Sequence, residues 1–404
     1  MSKKKNLRDI DRLALTGKTV LVRADLNVPV DDGVITDDQR IRASVPTLSL
    51  LCESGARVVV LSHLGRPRGV PDPAYSLEPV ARRIAELMQG RATRFVPEPS
   101  GARVEADVAD LKDGELAVLE NTRFLAGDPA NDPDLARRWA GLGDLFVNDA
   151  FGTAHRAHAS TAGLATAMRK RGGEAVAGLL MERELRFLRD ALQDPERPFV
   201  AILGGAKISG KIDVVEALLP RVDRLLIGGA MANTFFRALG FETGDSLVED
   251  DRVEMARDTL ERAGDRILLP VDCVVASEVI EGAEARVVDR SEVTSGDRIA
   301  DIGPVTRSTF GQEIGEAKTI VWNGPMGVFE VPEFAQGTIS VAHSLALACD
   351  RGAAGIIGGG DSAAAAVQAG VEGRVTHVST GGGASLALLA GSDLPGVDTL
   401  SDGA

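Results

Sequence analysis

The chain has 404 residues, 44% of them hydrophobic and 26% charged, a globular composition with length for about two or three domains rather than one core. Its net charge of −14 argues against nucleic acid as the main partner, and no apolar stretch approaches the roughly 18–20 residues of a membrane span. Cys52, Cys273 and Cys349 are few and far apart, which argues against a disulfide frame or a zinc site and for a reducing, cytoplasmic setting. The charged start Met1–Leu7 lacks the apolar run of a secretory signal.

Short runs rich in Val, Leu and Phe predict strands at Thr19–Val28, Arg57–Leu64, Thr93–Val96, Leu116–Glu120 and Leu145–Asn148. Helical spacing of apolar residues predicts helices at Arg42–Ser54, Ser76–Met88 and Asp134–Leu142. Strand–helix alternation of this kind implies a parallel sheet covered on both faces, with ligands gathering beyond the carboxyl ends of the strands. Glu174–Gln193 reads as one long helix ended by Asp194–Pro198, either a connector between two domains or the last helix of the first half. The alternation then resumes at Phe199–Leu203, Arg224–Ile227, Ile267–Val275, Ile299–Ile302, Thr319–Trp322, Gly355–Ile357 and Val375–Ser379. Nearly every one of these runs ends in glycine, which lets backbone approach a ligand along a whole sheet edge and marks a mononucleotide-binding domain.

Charge is unevenly spread. Residues 1–192 hold 28 Lys and Arg against 27 Asp and Glu, and residues 193–404 hold 17 against 32, so anion-binding side chains are expected in the first half. There Arg23, Asp25 and Asn27 alternate along one predicted strand and would share a face. Arg40 follows Asp37-Asp38, and His63 with Arg66, Arg123 and Arg156 all fall in loops after predicted strands. One such arginine is usually a salt-bridge partner; five at successive strand ends form a pocket for a small, multiply charged anion. His155-x-x-His158 has no third ligand nearby and is a poor metal site.

In the second half, Gly358-Gly359-Gly360-Asp361 sits between a strand and a helix, where bare N–H groups and the helix dipole favour phosphate; Asp361 or Ser362 can cap that helix. Gly205-x4-Gly210-Lys211 is close to a P-loop, but Ile212 stands where a hydroxyl must meet magnesium. Lys207 and Lys211, four apart, would share one helix face and repel unless an anion lies between them. Trp322–Glu330 offers apolar groups to sandwich a base and one acid, Glu330, for ribose hydroxyls.

Seven motifs together resemble the phosphoglycerate kinase family: Arg-Ala-Asp-Leu-Asn-Val-Pro (23–29), Ser-His-Leu-Gly-Arg-Pro (62–67), Asp-Ala-Phe-Gly-Thr-Ala-His-Arg-Ala-His (149–158), Leu-Gly-Gly-Ala-Lys (203–207), Trp-Asn-Gly-Pro-Met-Gly-Val-Phe-Glu (322–330), Gly-Gly-Gly-Asp (358–361) and Ser-Thr-Gly-Gly-Gly-Ala-Ser (379–385). They occur in the family's order and span nearly the whole chain. The resemblance implies an α/β fold of two Rossmann-like lobes with parallel sheets joined by an interdomain helix. Its expected division is an N-terminal domain 1–173, the helix 174–193, a C-terminal domain 194–388 and a segment 389–404 returning to the first lobe. It implies a monomeric glycolytic enzyme that exchanges a phosphoryl group, reversibly and with Mg2+, between 1,3-bisphosphoglycerate and ADP, giving 3-phosphoglycerate and ATP.

By motif match, Asp25, Asn27, Arg40, His63, Leu64, Gly65, Arg66, Arg123 and Arg156, with Arg23 beside them, would hold 3-phosphoglycerate. Lys211, Glu330, Gly358, Gly359, Gly360 and Asp361 would meet the nucleotide, with Asp361 toward the magnesium. Lys207, Arg40 and backbone near Gly359 and Gly382 would steady the phosphoryl group in transit. Gly210 and Ser362 depart from the family's usual Asp and Thr. Two other classes stay open at this point. A flavin or nicotinamide oxidoreductase fits the Gly358-x-Gly360 turn but lacks a ribose acid after the next strand; a non-catalytic nucleotide binder leaves the basic first half unused.

Overall fold

Parallel strands covered on both faces need apolar side chains at successive positions, and the first half supplies such runs. The computed structural model describes residues 3–403, with the side chains of residues 190–193 outside the description. The strands are β1 (Thr19–Ala24), a small hairpin of β2 (Val30–Asp31) and β3 (Val34–Ile35), then β4 (Arg57–Leu61), β5 (Thr93–Val96), β6 (Leu116–Leu119), β7 (Leu145–Asp149) and β8 (Glu174–Ala177). Apart from the hairpin they form one six-stranded sheet in the order β5-β6-β4-β1-β7-β8, parallel throughout. Val20, Val22, Val58, Val60, Val118 and Val147 line one face and pack on Leu48 and Leu51 of the helix Gln39–Glu53 and Val80 and Ile84 of the helix Glu78–Leu87.

The chain divides into two compact units, Met1–Arg186 with Asp393–Ala404, and Phe187–Ser392. In the second unit β9 (Phe199–Leu203), β10 (Arg224–Ile227), β11 (Ile267–Leu268), β15 (Thr319–Asn323), β16 (Ala354–Gly358) and β17 (His377–Val378) make a parallel sheet ordered β11-β10-β9-β15-β16-β17. Between them β12 (Asp272–Ala276), β13 (Arg286–Asp289) and β14 (Arg298–Ile302) form a separate antiparallel sheet ordered β13-β12-β14. In each parallel sheet the strand order reverses beside a central strand, β1 in the first and β9 in the second, which is where doubly wound sheets open a crevice.

Three expectations need correction. Glu174–Ala177 is the edge strand β8 rather than helix, and the helix runs Leu179–Gln193. The physical reason is Asp149 at the end of β7: its Oδ1 accepts from the amides of Leu180 and Met181 at 2.9 and 3.1 Å and so caps the helix there. A side chain on Gly178 would collide with that carboxylate. Ile267–Val275 is two strands in two sheets, parted around Pro270, and β13 went unpredicted because its residues are mostly exposed. Finally β1 stops at Ala24, so Asp25 and Asn27 lie in the loop beyond it and the shared-face argument fails.

The last residues close the open edge of the first sheet. Ser401 donates to Ala175 of β8 and accepts from Lys5, and Ala177 donates to Lys5. Covering an edge strand in this way satisfies groups that would otherwise template association. Leu394, Val397 and Leu400 are buried there. Leu400→Ala is expected to cost about 2–4 kcal/mol, and scanning calorimetry should register it as a melting point lowered by several degrees; an unchanged melting point would rule out a stabilising role for this segment.

Candidate active site

The loops after β1, β4, β6 and β7 bring most of the predicted anion-binding side chains of the first unit into one cluster. Arg23, on β1, is fully buried; its Nη2 meets His63 Nδ1 at 3.0 Å and its Nε donates to Ser160 Oγ at 3.0 Å. A guanidinium only donates, so Nδ1 of His63 is the acceptor and Nε2 carries the hydrogen. Burial holds the His63 imidazole well below its usual range, helped by Arg23, Arg123, His158 and Arg40, so the ring is neutral.

Arg40 reaches Asp25 Oδ1 at 3.3 Å and the Asn27 carbonyl at 3.2 Å, and Asn27 Oδ1 accepts from the Gly65 amide at 2.8 Å. Arg123 donates to the Gly65 carbonyl at 2.8 Å; burial draws its guanidinium down to about 10, with Arg23, Arg156 and Arg66 adding to the effect and Asp128 opposing it. Gly65 has φ +60°, and a Cβ there would strike Tyr75. Leu64 is a core side chain, 4% exposed, and contributes its carbonyl, which accepts from Asn121 Nδ2 at 2.7 Å. Arg66 and Arg156 are exposed. The arrangement gathers cations that repel one another, and such a set can hold an anion of several charges.

In the second unit the strand ends are laced backbone to backbone. Gly205 N donates to the Pro325 carbonyl at 2.9 Å, Gly228 N to Leu203 at 2.9 Å and Gly229 N to Met326 at 2.9 Å. Asn323 Nδ2 donates to the Gly358 carbonyl at 2.8 Å, and Gly324 N to Ser362 Oγ at 2.6 Å. Ser362 therefore accepts from the turn after β15 rather than capping its helix, and the helix Gly360–Gln368 begins behind Gly359, whose φ is +98°. A Cβ on Gly382 would lie 3.1 Å from the Gly359 Cα, so the N-termini of the helices Gly360–Gln368 and Gly382–Leu389 open side by side. They face a cavity of about 300 Å3 that Lys207, Lys211 and Asp361 also line. Beside it a cavity of about 570 Å3 has apolar walls from Phe236, Leu247, Met326 and Val328, with Glu330 and Asp361 at its polar margin.

The two lysines do not share a helix face, because the helix starts only at Ile212 and both precede it. Lys207 is exposed, whereas Lys211 folds inward and donates to the carbonyls of Gly204 and Asn323, the latter at 3.0 Å. Burial pulls the Lys211 ammonium down to about 8, against the pull of Asp361. Trp322 is wholly buried with Nε1 donating to Gly324 at 2.8 Å, so it is core and not a base platform. Gly358 is the last residue of β16 and also buried. Of the residues expected to steady a transferring group, Arg40 belongs to the first unit and Lys207, Gly359 and Gly382 to the second.

The family model for phosphoglycerate kinase matches residues 10–392. The chain belongs to the phosphoglycerate kinase family. Over 99% of both chains it is 54% identical to a phosphoglycerate kinase of Chloroflexus aurantiacus, and it is 53% identical to one of Chlorobaculum tepidum over 99% of this chain and all of that one. The solved structure of phosphoglycerate kinase from Coxiella burnetii superposes with a TM-score of 0.86 at 40% identity, covering 98% of each chain; that from Pyrococcus horikoshii gives 0.84 at 35%, again over 98% of each. The chain is thus a kinase, a phosphotransferase with a carboxyl acceptor, with the two-lobed α/β fold of its family.

Sequence reading missed two groups in this family member. His158 was weighed only as a metal ligand, yet it lies 5% exposed within the Coulombic reach of Arg23, Arg123 and Arg156. Asp128 had no motif to flag it, and only burial beside the arginines reveals it. Among the described residues no group of three or more His, Cys, Asp or Glu could hold a metal.

The Lys211 ammonium carries a pH signature. Its folded pKa of about 8 lies below the ordinary 10.5, so between those values the unfolded chain binds more protons and stability contributed by this group rises with pH. Denaturation at pH 8 and 10.5 should reveal a gain in the wild type that Lys211→Met lacks; identical pH slopes would contradict the buried, carbonyl-bound position.

Proposed function

We propose that the protein transfers a phosphoryl group between 1,3-bisphosphoglycerate and ADP, reversibly and with magnesium, forming 3-phosphoglycerate and ATP in the cytoplasm as a monomer. The observation that carries this reading is the cluster of His63, Arg40, Arg66, Arg123 and Arg156 at the strand ends of one unit, a demand for charge that a nucleotide-only binder would not have. The sugar acid would lie against Asp25, Asn27, Arg40, His63, Gly65, Arg66, Arg123 and Arg156, with Arg23 and the Leu64 carbonyl fixing the frame. The nucleotide phosphates would lie over the helix starts at Gly359 to Asp361 and near Lys211, its base against the apolar cavity wall and its ribose toward Glu330.

In the forward direction a β-phosphate oxygen of ADP attacks the acyl phosphorus in line, the bond from phosphorus to the carboxyl oxygen breaks, and the carboxylate leaves. No proton or covalent help from protein is required, so catalysis is positioning and charge neutralisation. Lys207 and Arg40 neutralise the oxygens in transit, with backbone N–H groups near Gly359 and Gly382. The two ligand sites belong to different units, which calls for closure of the lobes during each cycle. Magnesium fits as an ion carried by the nucleotide: Asp361 is a single exposed carboxylate on the cavity of about 300 Å3, and such ions bind through one or two carboxylates plus phosphate oxygens. It would supply charge neutralisation of the phosphates. Neither a nucleic-acid nor a membrane partner has a place in this reading; no helix among the described residues is long and apolar enough to cross a bilayer.

A coupled assay for ATP formation from 1,3-bisphosphoglycerate and ADP tests the reading, which fails if purified protein shows no turnover. Lys207→Ala should lower kcat by about 100-fold or more while the Kd for ADP changes only about threefold; an unaffected kcat would remove that role. Arg66→Ala should instead weaken 3-phosphoglycerate roughly 10–100-fold by calorimetry. Chelation of magnesium should stop turnover and leave 3-phosphoglycerate binding intact.

A further inference from the structure

Behind the basic cluster sits a carboxylate that the substrate reading leaves without a task. Asp128 is fully buried. Its Oδ1 accepts from the Ser160 amide at 2.9 Å, and its carbonyl accepts from the Ala159 amide at 2.9 Å. Ser160, also fully buried, accepts from Arg23 Nε at 3.0 Å through its hydroxyl oxygen, and Arg23 in turn meets His63 Nδ1 at 3.0 Å. A continuous line of contacts therefore runs from Asp128 through Ser160 and Arg23 to His63. The second oxygen, Oδ2, is buried without a hydrogen-bond partner in the protein, as are Arg123 Nε and His158 Nδ1. Asp128 acts on Arg23, Arg123 and His158 alike, favouring the charged form of each.

A buried guanidinium without a compensating charge is costly, and Arg23 has Asp25 and Asp128 to offset it. Asp25 is shared with Arg40 at the mouth of the cluster, which leaves Asp128 as the counter-charge at the rear. We propose that Asp128 is a positioning residue of the 3-phosphoglycerate pocket: acting through Ser160 and Arg23, it fixes His63 with Nδ1 as acceptor and Nε2–H as the donor offered to the ligand. The inference rests on the substrate reading above for the identity of the ligand, but not for the state of His63.

The sign of the expected effect separates positioning from background charge. Removing a negative charge makes the pocket more positive, and by Coulomb attraction alone it would tighten an anion. Loss of the counter-charge instead lets Arg23 shift and His63 turn, and weakens binding. Asp128→Asn and Ser160→Ala would be compared with wild type by calorimetry with 3-phosphoglycerate, by calorimetry with ADP as the control, and by nitrogen NMR of the histidine rings. The expected result for Asp128→Asn is a 3-phosphoglycerate Kd raised roughly tenfold or more, an ADP Kd unchanged within about twofold, and loss of the single Nε2–H form of His63. Ser160→Ala, which keeps every charge, should shift both readouts in the same direction by about three- to fivefold.

Binding as tight as or tighter than wild type in either variant, with the His63 tautomer retained, would overturn the proposal. Should Asp128→Asn not fold, the Ser160→Ala comparison and the wild-type spectrum decide: a His63 that is Nδ1-protonated or imidazolium at pH 7 overturns it. Wild-type protein that binds no 3-phosphoglycerate would overturn the substrate reading instead, and the tautomer measurement would still decide this one.

Discussion

Parallel pairing is the constraint on which the rest of this structure depends. Because β1 runs alongside β4 and β7 in register, Ala24, Leu61 and Asp149 end at one edge of the sheet, and the loops that follow them start side by side. The same holds for β9, β10, β15 and β16, whose following turns all begin with glycine. Residues separated by more than a hundred positions in sequence thereby meet without any long-range instruction beyond strand register. Apolar runs buried on both faces set that register, since a slip would strand Val and Leu side chains among polar loops.

The two edges then solve different electrostatic problems. In the first unit the groups gathered at the edge are side-chain cations, which repel, and the fold absorbs the repulsion by keeping His63 neutral and by placing Asp25 and Asp128 where they offset Arg23. In the second unit the groups are mostly backbone. Glycines at 204, 229 and 324 let strand-end carbonyls and amides approach at distances no Cβ would allow, and the helix starts behind Gly359 and Gly381 keep their N–H groups free of side-chain caps. Lys211 is held on two carbonyls and partly stripped of water, so its charge is conditional where the arginines' charge is fixed.

Much of this was legible in the residues. Strand–helix alternation predicted parallel sheets, and Arg40, His63, Arg66, Arg123 and Arg156, expected after successive strands, do lie near one another because parallel strands end together. Local pattern failed where tertiary contacts override it. Glu174–Ala177 has the apolar spacing of the helix that follows, and only the cap from Asp149 and the sheet edge at β7 divide strand from helix. Lys207 and Lys211 fit a helix face by spacing, but the turn after β9 continues to Lys211, where packing sends one ammonium outward and the other in. Trp322 looked like a ligand platform because a sequence does not record that a large side chain near the end of β15 turns into the core and not toward the edge.

The sequence by itself determined the class of fold, the family and the kinds of groups at the sheet edges, since periodicity, glycine placement and motif order are properties of the chain. Tertiary structure alone decided how those groups are poised. It made His63 a neutral ring with a defined acceptor nitrogen, gave Lys211 a lowered affinity for its proton, turned Ser362 from a cap into an acceptor for the turn after β15, and set Asp128 behind Arg23. Proton affinity and hydrogen-bond role depend on burial and on neighbours distant in sequence, and neither is fixed until the chain has folded.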